Sequence, residues 1–248
     1  MKKAYDEHGY IILRNVFDED VLSPIRSLTD EIFAAAEKRV KDPFVPYLMS
    51  HRSDQGVLYD LYERFIEFRR LIEHDRVLDA LEAVVGENFF LYENSLITKP
   101  RGKRNGVPWH QDFISRTKEP LKTIVWMALD DVRVENGAVR IIPGSHREGF
   151  LPWYRVEGET HHDRVKPEYV DEEKAQFVEM NAGDVLIFNM LLLHGSEEVH
   201  SDLPRRAYRC SIQSMDDQIY SPRGIPVALR GGRPAFMEER MRRLSPVQ

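Results

Sequence analysis

Apolar positions change their spacing near residue 88. Before it they mostly recur every three or four residues: Val21, Ile25, Leu28, Ile32 and Phe33 trace one face of a helix that Asp18 or Asp20 would cap. A second helical stretch is predicted over 58–72. A third starts near Asp75, carries Val77, Leu78, Leu81, Val84 and Val85, and stops at Gly86. One strand precedes them, at 9–14, where Tyr10, Ile11, Ile12 and Leu13 stand in a row. After residue 88 the apolar runs become short and rich in β-formers. Strands are predicted at 89–98, 107–113, 123–129, 138–142, 176–180, 184–189 and 206–214. Turns such as Glu135-Asn136-Gly137, Pro143-Gly144-Ser145 and Asn181-Ala182-Gly183 separate several of them.

Helices first and strands afterwards read as an α+β chain that is mainly β, a sandwich or barrel with helices packed on one side. The organisation expected is one domain over 1–248: a helix-rich part (1–87), a β-core (88–215) and a C-terminal extension (216–248). The polar stretch 158–174 reads as a surface loop or insertion. Residues 44–56 mix Phe44, Val45, Tyr47, Leu48 and Met49 with polar side chains, and fit either a lid or a connecting loop.

Composition narrows the function. Hydrophobic residues at 42% and charged ones at 31% are ordinary for a globular protein, and a net charge of −6 argues against nucleic acid as a partner. No apolar run approaches the roughly 20 residues that span a membrane. Met1-Lys2-Lys3 leads into polar residues, so no signal peptide is expected and the cytoplasm is the expected compartment. A single cysteine, Cys210, excludes an internal disulfide and a multi-cysteine metal site, so any metal must rely on His and carboxylates.

Nine histidines are present. In a strand, His110 and Asp112 would share a face and could reach one metal ion. A third ligand must come from elsewhere, and His194, between Leu191-Leu192-Leu193 and Gly195, is the best placed. Two His and one carboxylate leave open positions on a metal and suit non-haem Fe(II) and O2. A second HxD, His161-His162-Asp163, lies in a charged stretch and reads as solvated loop. Arg205 could grip the far end of a dicarboxylic cosubstrate, with Ser196 adding a hydroxyl, although a lone Arg more often makes a surface ion pair. Arg206 and Arg209 read as surface ion pairs.

The series Val107-Pro108-Trp109-His110-Gln111-Asp112, then 135–146 with its Pro-Gly-Ser-His turn, then His194-Gly195-Ser196 and Pro204-Arg205-Arg206, resembles the phytanoyl-CoA dioxygenase family. The opening 5–17 resembles the start of that family too, so the likeness runs in order along nearly the whole chain. It implies a double-stranded β-helix, the cofactor Fe(II), the cosubstrate 2-oxoglutarate and O2. It makes His110, Asp112 and His194 the iron ligands and Arg205, assisted by Ser196, the partner of the 2-oxoglutarate C5 carboxylate. Trp126 falls where the family often lines the cosubstrate pocket, although a core aromatic fits that position equally. Gln111 is expected to reach substrate or cosubstrate, and Lys99 to meet substrate or to be a solvated strand end. His146 is expected to be structural.

Relatives that halogenate lack the carboxylate ligand. Asp112 therefore favours hydroxylation, or another C–H oxidation such as desaturation, cyclisation or epimerisation, of a small molecule. From Leu203 onward nine Arg face four acidic residues, which suggests either an anionic substrate or a solvated basic surface. The rival readings are a β-helix protein that binds metal or ligand without catalysis, and an interaction module whose His and Asp are merely buried. Oligomeric state is not legible.

Overall fold

The computed structural model describes residues 1–41, 51–52, 56–99, 106–159, 163–216 and 227–232. Most of 44–56, His161, His162 and most of 216–248 therefore lie outside the described residues. The chain opens with helix α1 (Lys2–His8), strand β1 (Tyr10–Leu13) and helix α2 (Glu19–Lys41), followed by β2 (His51–Arg52), β3 (Val57–Tyr59), α3 (Ile66–Ile72) and α4 (Asp75–Val85). The β-core follows as β4 (Phe89–Thr98), β5 (Val107–His110), β6 (Lys122–Ala128), β7 (Val139–Ile141), β8 (Trp153–Arg155) and β9 (Asp163–Val165). It continues as β10 (Gln176–Val178), β11 (Val185–Asn189), β12 (His194–Ser196), β13 (Arg206–Ser214) and β14 (Val227–Arg230).

The large sheet runs β1-β11-β6-β13-β4-β3-β2, with β14 also pairing β4; a smaller one runs β10-β7-β12-β5. All their pairings are antiparallel. The two sheets face each other across Ile124, Trp126, Leu186 and Phe188 from the large one and Val139, Ile141 and Val178 from the small one. The architecture is the expected double-stranded β-helix.

The other side of the large sheet belongs to the helices. Val125, Met127, Val185, Ile187, Tyr208, Cys210 and Ile212 pack with Leu22, Ile25, Phe68, Leu71, Leu78 and Leu81 in one cluster. Because both faces are covered, β6 is buried at every position, which explains the apolar run over 124–128. Each fully buried side chain of this size contributes about 1.5–3 kcal/mol of transfer free energy.

The helix predicted over 58–72 is corrected. Val57–Tyr59 form a strand instead, with Val57 opposite Ile97 and Leu58 opposite Leu96. Those residues supply the hydrogen bonds that the β4 edge would otherwise lack, Asp60 turns the chain at φ 66°, and the helix begins only at Ile66. The cap of α2 is Asp18, whose carboxylate accepts from the Val21 N–H. The stretch predicted as loop over 158–174 contains β9, which pairs with β8. No helix among the described residues is long and apolar enough to cross a membrane.

Candidate metal centre

Strands β5 and β12 lie side by side, with His110 opposite His194 and their ring centroids 4.1 Å apart. Gly195 makes this approach possible. A Cβ there would sit 2.7 Å from the Val107 carbonyl oxygen, so any side chain would push β5 away. Each imidazole is tied by its Nδ1 to the carbonyl two residues earlier: His110 to Pro108 and His194 to Leu192, both at 2.9 Å. A carbonyl can only accept, so Nδ1 carries a proton in both rings and Nε2 is the atom left to face a metal. Burial, with His110 nearby, pulls the His194 pKa down to about 3, so the ring is neutral and able to ligate.

Asp112 reaches the histidines by a different route from the one expected. β5 ends at His110. The chain then bends, with the Asp112 N–H donating to the Met190 carbonyl at 2.9 Å and Phe113 at φ 54°. Its Oδ1 pairs with the Arg209 Nη2 at 2.9 Å; its Oδ2 lies 3.7 Å from the His194 Nε2 and has no hydrogen-bond partner. Burial works against the Asp112 charge, but the Arg209 guanidinium beside it outweighs burial and holds the carboxyl below its usual pKa. One donor atom from each of the three residues falls within 4.8 Å of the others. Two imidazole nitrogens and one carboxylate oxygen, with the other nitrogen of each ring taken by a backbone carbonyl, fit a divalent metal ion.

A cationic end adjoins this centre. The Arg205 guanidinium is buried, its carbon 4.8 Å from the centroid of Trp126. Its Nε and Nη1, and the Ser196 Oγ, have no hydrogen-bond partner. Lys99 is 7% exposed, with Nζ donating to the Glu197 carbonyl at 2.9 Å. Burial first, and the Arg205 charge second, lower its pKa to about 6. Its stem runs against Gly137, where a Cβ would come within 2.7 Å of the Lys99 Cδ; the left-handed φ of 88° also favours glycine there. One cavity of about 260 Å³ joins both ends, bounded by His110, Asp112, Trp126, His194, Ser196 and Arg205 among others.

The expected site residues thus converge, with one exception. Gln111 does not line the cavity. Its amide nitrogen donates to the carbonyls of Gly149 and Leu191, and its oxygen accepts from the Leu151 N–H. Its hydrogen-bonding capacity holds the surrounding loops. Trp126 lies in the cavity wall, and Lys99 lies at the Arg205 end. His146 donates to the Asp6 carbonyl through Nε2 at 3.2 Å and belongs to a turn that pins α1.

Two arginines expected to make surface ion pairs are instead largely buried. Arg206 forks onto Asp130 with Nε and Nη2 and reaches Asp30 of α2 with Nη1. Arg209 is 12% exposed in its side chain, and it contacts Asp112 and, at 3.5 Å, Glu93. A signal for Arg209 was available. Counting in twos from Arg205 puts Ala207 and Arg209 on the same inner face.

A family model described as phytanoyl-CoA dioxygenase (PhyH) matches residues 5–207. The peroxisomal phytanoyl-CoA dioxygenase of Rattus norvegicus is 24% identical over 242 residues, covering 90% of this chain and 70% of that protein. Among solved structures, the non-heme monooxygenase ThoJ superposes with a TM-score of 0.70 at 18% identity, over 94% of this chain and 84% of that one. The epimerase SnoN, solved in complex with Fe3+, alpha-ketoglutarate and nogalamycin RO, gives 0.66 at 20% identity, over 90% and 85%.

Proposed function

The chain belongs to the phytanoyl-CoA dioxygenase family, and from that premise we propose how its residues serve an oxidation of a small molecule. It is an iron(II)- and 2-oxoglutarate-dependent oxygenase. When bound, iron(II) and 2-oxoglutarate supply the oxidising chemistry, consuming O2 and releasing succinate and CO2 as a C–H bond of the substrate is oxidised. His110 and His194 hold the metal through Nε2, and Asp112 through a carboxylate oxygen. The carbonyls of Pro108 and Leu192 keep both rings in one tautomer and one orientation.

Arg205 receives the distal carboxylate of the cosubstrate through Nε and Nη1, and Ser196 donates to the same group. Trp126 covers one face of the guanidinium and keeps water from it. Lys99, placed beside Arg205, takes up a proton as that carboxylate arrives, since a nearby anion offsets the burial and repulsion that lower its pKa. Asp112 fills the carboxylate position, so hydroxylation or a related C–H oxidation is favoured over halogenation. We take residues 1–248 as one catalytic domain, because α2–α4 close a face of the sheet that bears the site.

The described arginines lend an anionic substrate no support. Of the four described arginines after Leu203, Arg206, Arg209 and Arg230 are paired with carboxylates, and Arg205 serves the cosubstrate. The observation that carries the reading is the meeting, in one cavity, of three metal-ligating atoms with the unpartnered groups of Arg205 and Ser196.

The test is succinate formation from 2-oxoglutarate under air with Fe(II), with and without a panel of small molecules. The wild type turns over and accelerates with one compound class. His110→Ala and Arg205→Ala each fall at least about tenfold, the range expected when a group near the metal or a charged hydrogen bond is removed. Turnover that ignores both substitutions refutes the assignment. Binding of metal without any succinate, across a panel broad enough to include the natural class, would favour the non-catalytic alternative.

A further inference from the structure

Each of the three candidate ligands has two donor atoms, and the protein ties one of them. For His110 and His194 the tied atom is Nδ1, held by a backbone carbonyl. For Asp112 it is Oδ1, held at 2.9 Å by the Arg209 Nη2, while Oδ2 is left without a hydrogen-bond partner. Arg209 is well fixed for this task. It projects from the inner face of β13, Glu93 of β4 approaches it at 3.5 Å, and the Phe113 ring lies 5.6 Å from its guanidinium carbon. Leaving its place would strand buried charges on both sides.

We infer that Arg209 is a positioning residue that confines Asp112 to ligation through Oδ2 alone and so preserves an open position on the metal. The inference rests on the iron-site reading above. A carboxylate can bind a metal through one oxygen or both. An octahedral ion with three single-atom protein ligands keeps three positions. A 2-oxo acid that chelates takes two, which leaves one for the oxidant. If Asp112 swung to bind through both oxygens, it would compete with the 2-oxo acid for its second position. Arg209 on Oδ1 makes that rotation costly, and no other cation contacts Oδ1 among the described residues.

The test uses Co(II), a redox-stable probe with visible bands, and 2-oxoglutarate titrated at saturating Co(II). Wild type is compared with Arg209→Met and Arg209→Lys, with circular dichroism and melting as controls for folding. In Arg209→Met, Co(II) affinity holds within about threefold or tightens, while 2-oxoglutarate affinity falls at least about tenfold, the scale typical of partners just outside a metal's ligands. Arg209→Lys, which keeps the charge but not the fork, shifts in the same direction by less, and it carries the test alone if the methionine variant does not fold. A purely structural role predicts another pattern: Co(II) affinity falls and 2-oxoglutarate binding at saturation does not change. That result, or no change in either, overturns the inference. Failure of the wild type to bind Co(II) at all would instead overturn the iron-site reading beneath it.

Discussion

The two faces of the large sheet are made by alternate residues of the same strands, yet they are built to different ends. Towards the helices, Val125, Met127, Val185, Ile187, Cys210 and Ile212 close an apolar contact with Phe68, Leu71 and Leu81. Tyr208 lies on that face too, its ring 4.9 Å from Phe68. Towards the small sheet, Trp126 and Arg209 border a cavity in which Asp112, Ser196 and Arg205 hold polar atoms out of water with no hydrogen-bond partner. The outer face is apolar apart from the Tyr208 hydroxyl. The inner face carries buried polar atoms that a metal and an anion would satisfy. The contrast teaches that stability and chemistry are separated here by one residue of strand period, so a single element can serve both.

That separation can be broken from either side. The largest effect is expected from His194→Ala, which removes a ligand. Metal binding and turnover should fall more than about a hundredfold, beyond the range for groups outside the ligand set, with little change in melting temperature. A large drop in melting temperature would show that the inner face carries stability after all. Phe68→Ala is the converse. Emptying this fully buried site should cost about 3–5 kcal/mol in chemical denaturation while turnover per folded molecule stays near that of the wild type. Lost activity in the folded fraction would mean that the two faces are coupled.

The smallest effect should come from pH. Lys99 has its folded pKa lowered to about 6 from 10.5, so between these values the unfolded chain binds the proton and the folded chain does not. Stability of the ligand-free protein from this group therefore rises with pH through that window. Binding of 2-oxoglutarate raises the Lys99 pKa and takes up a proton, so its affinity should weaken as pH rises from 7 to 9, by at most about tenfold per unit. Calorimetry in two buffers of different ionisation enthalpy reads that proton directly. Affinity independent of pH in wild type, with the same result in Lys99→Met, would remove Lys99 from the cosubstrate end.

Much of this was legible in the residues. The strands at 89–98 and 206–214 were predicted with the bounds observed, because long alternating or apolar runs between turns leave little choice. His110, Asp112, His194, Ser196 and Arg205 were singled out from residue type and spacing, and the structure brings all five to one cavity. Other features were hidden. Leu58 and Tyr59 fall in the stretch predicted as helix but pair with β4, since an unfilled sheet edge outweighs local periodicity. Gln111 has the chemistry of a ligand-binding residue, but its partners are backbone groups 38 to 80 residues away.

The sequence by itself determined which residues could face inward and which chemistry they could offer, because strand period and side-chain type are local properties. Only the tertiary structure decided which inward residues meet. Arg209 differs little from Arg206 in the sequence, yet one ends on a candidate metal ligand and the other on Asp130 and helix α2. That difference is set by which sheet or helix lies opposite each face. Such long-range pairing follows from packing the whole chain, and no window of residues contains it.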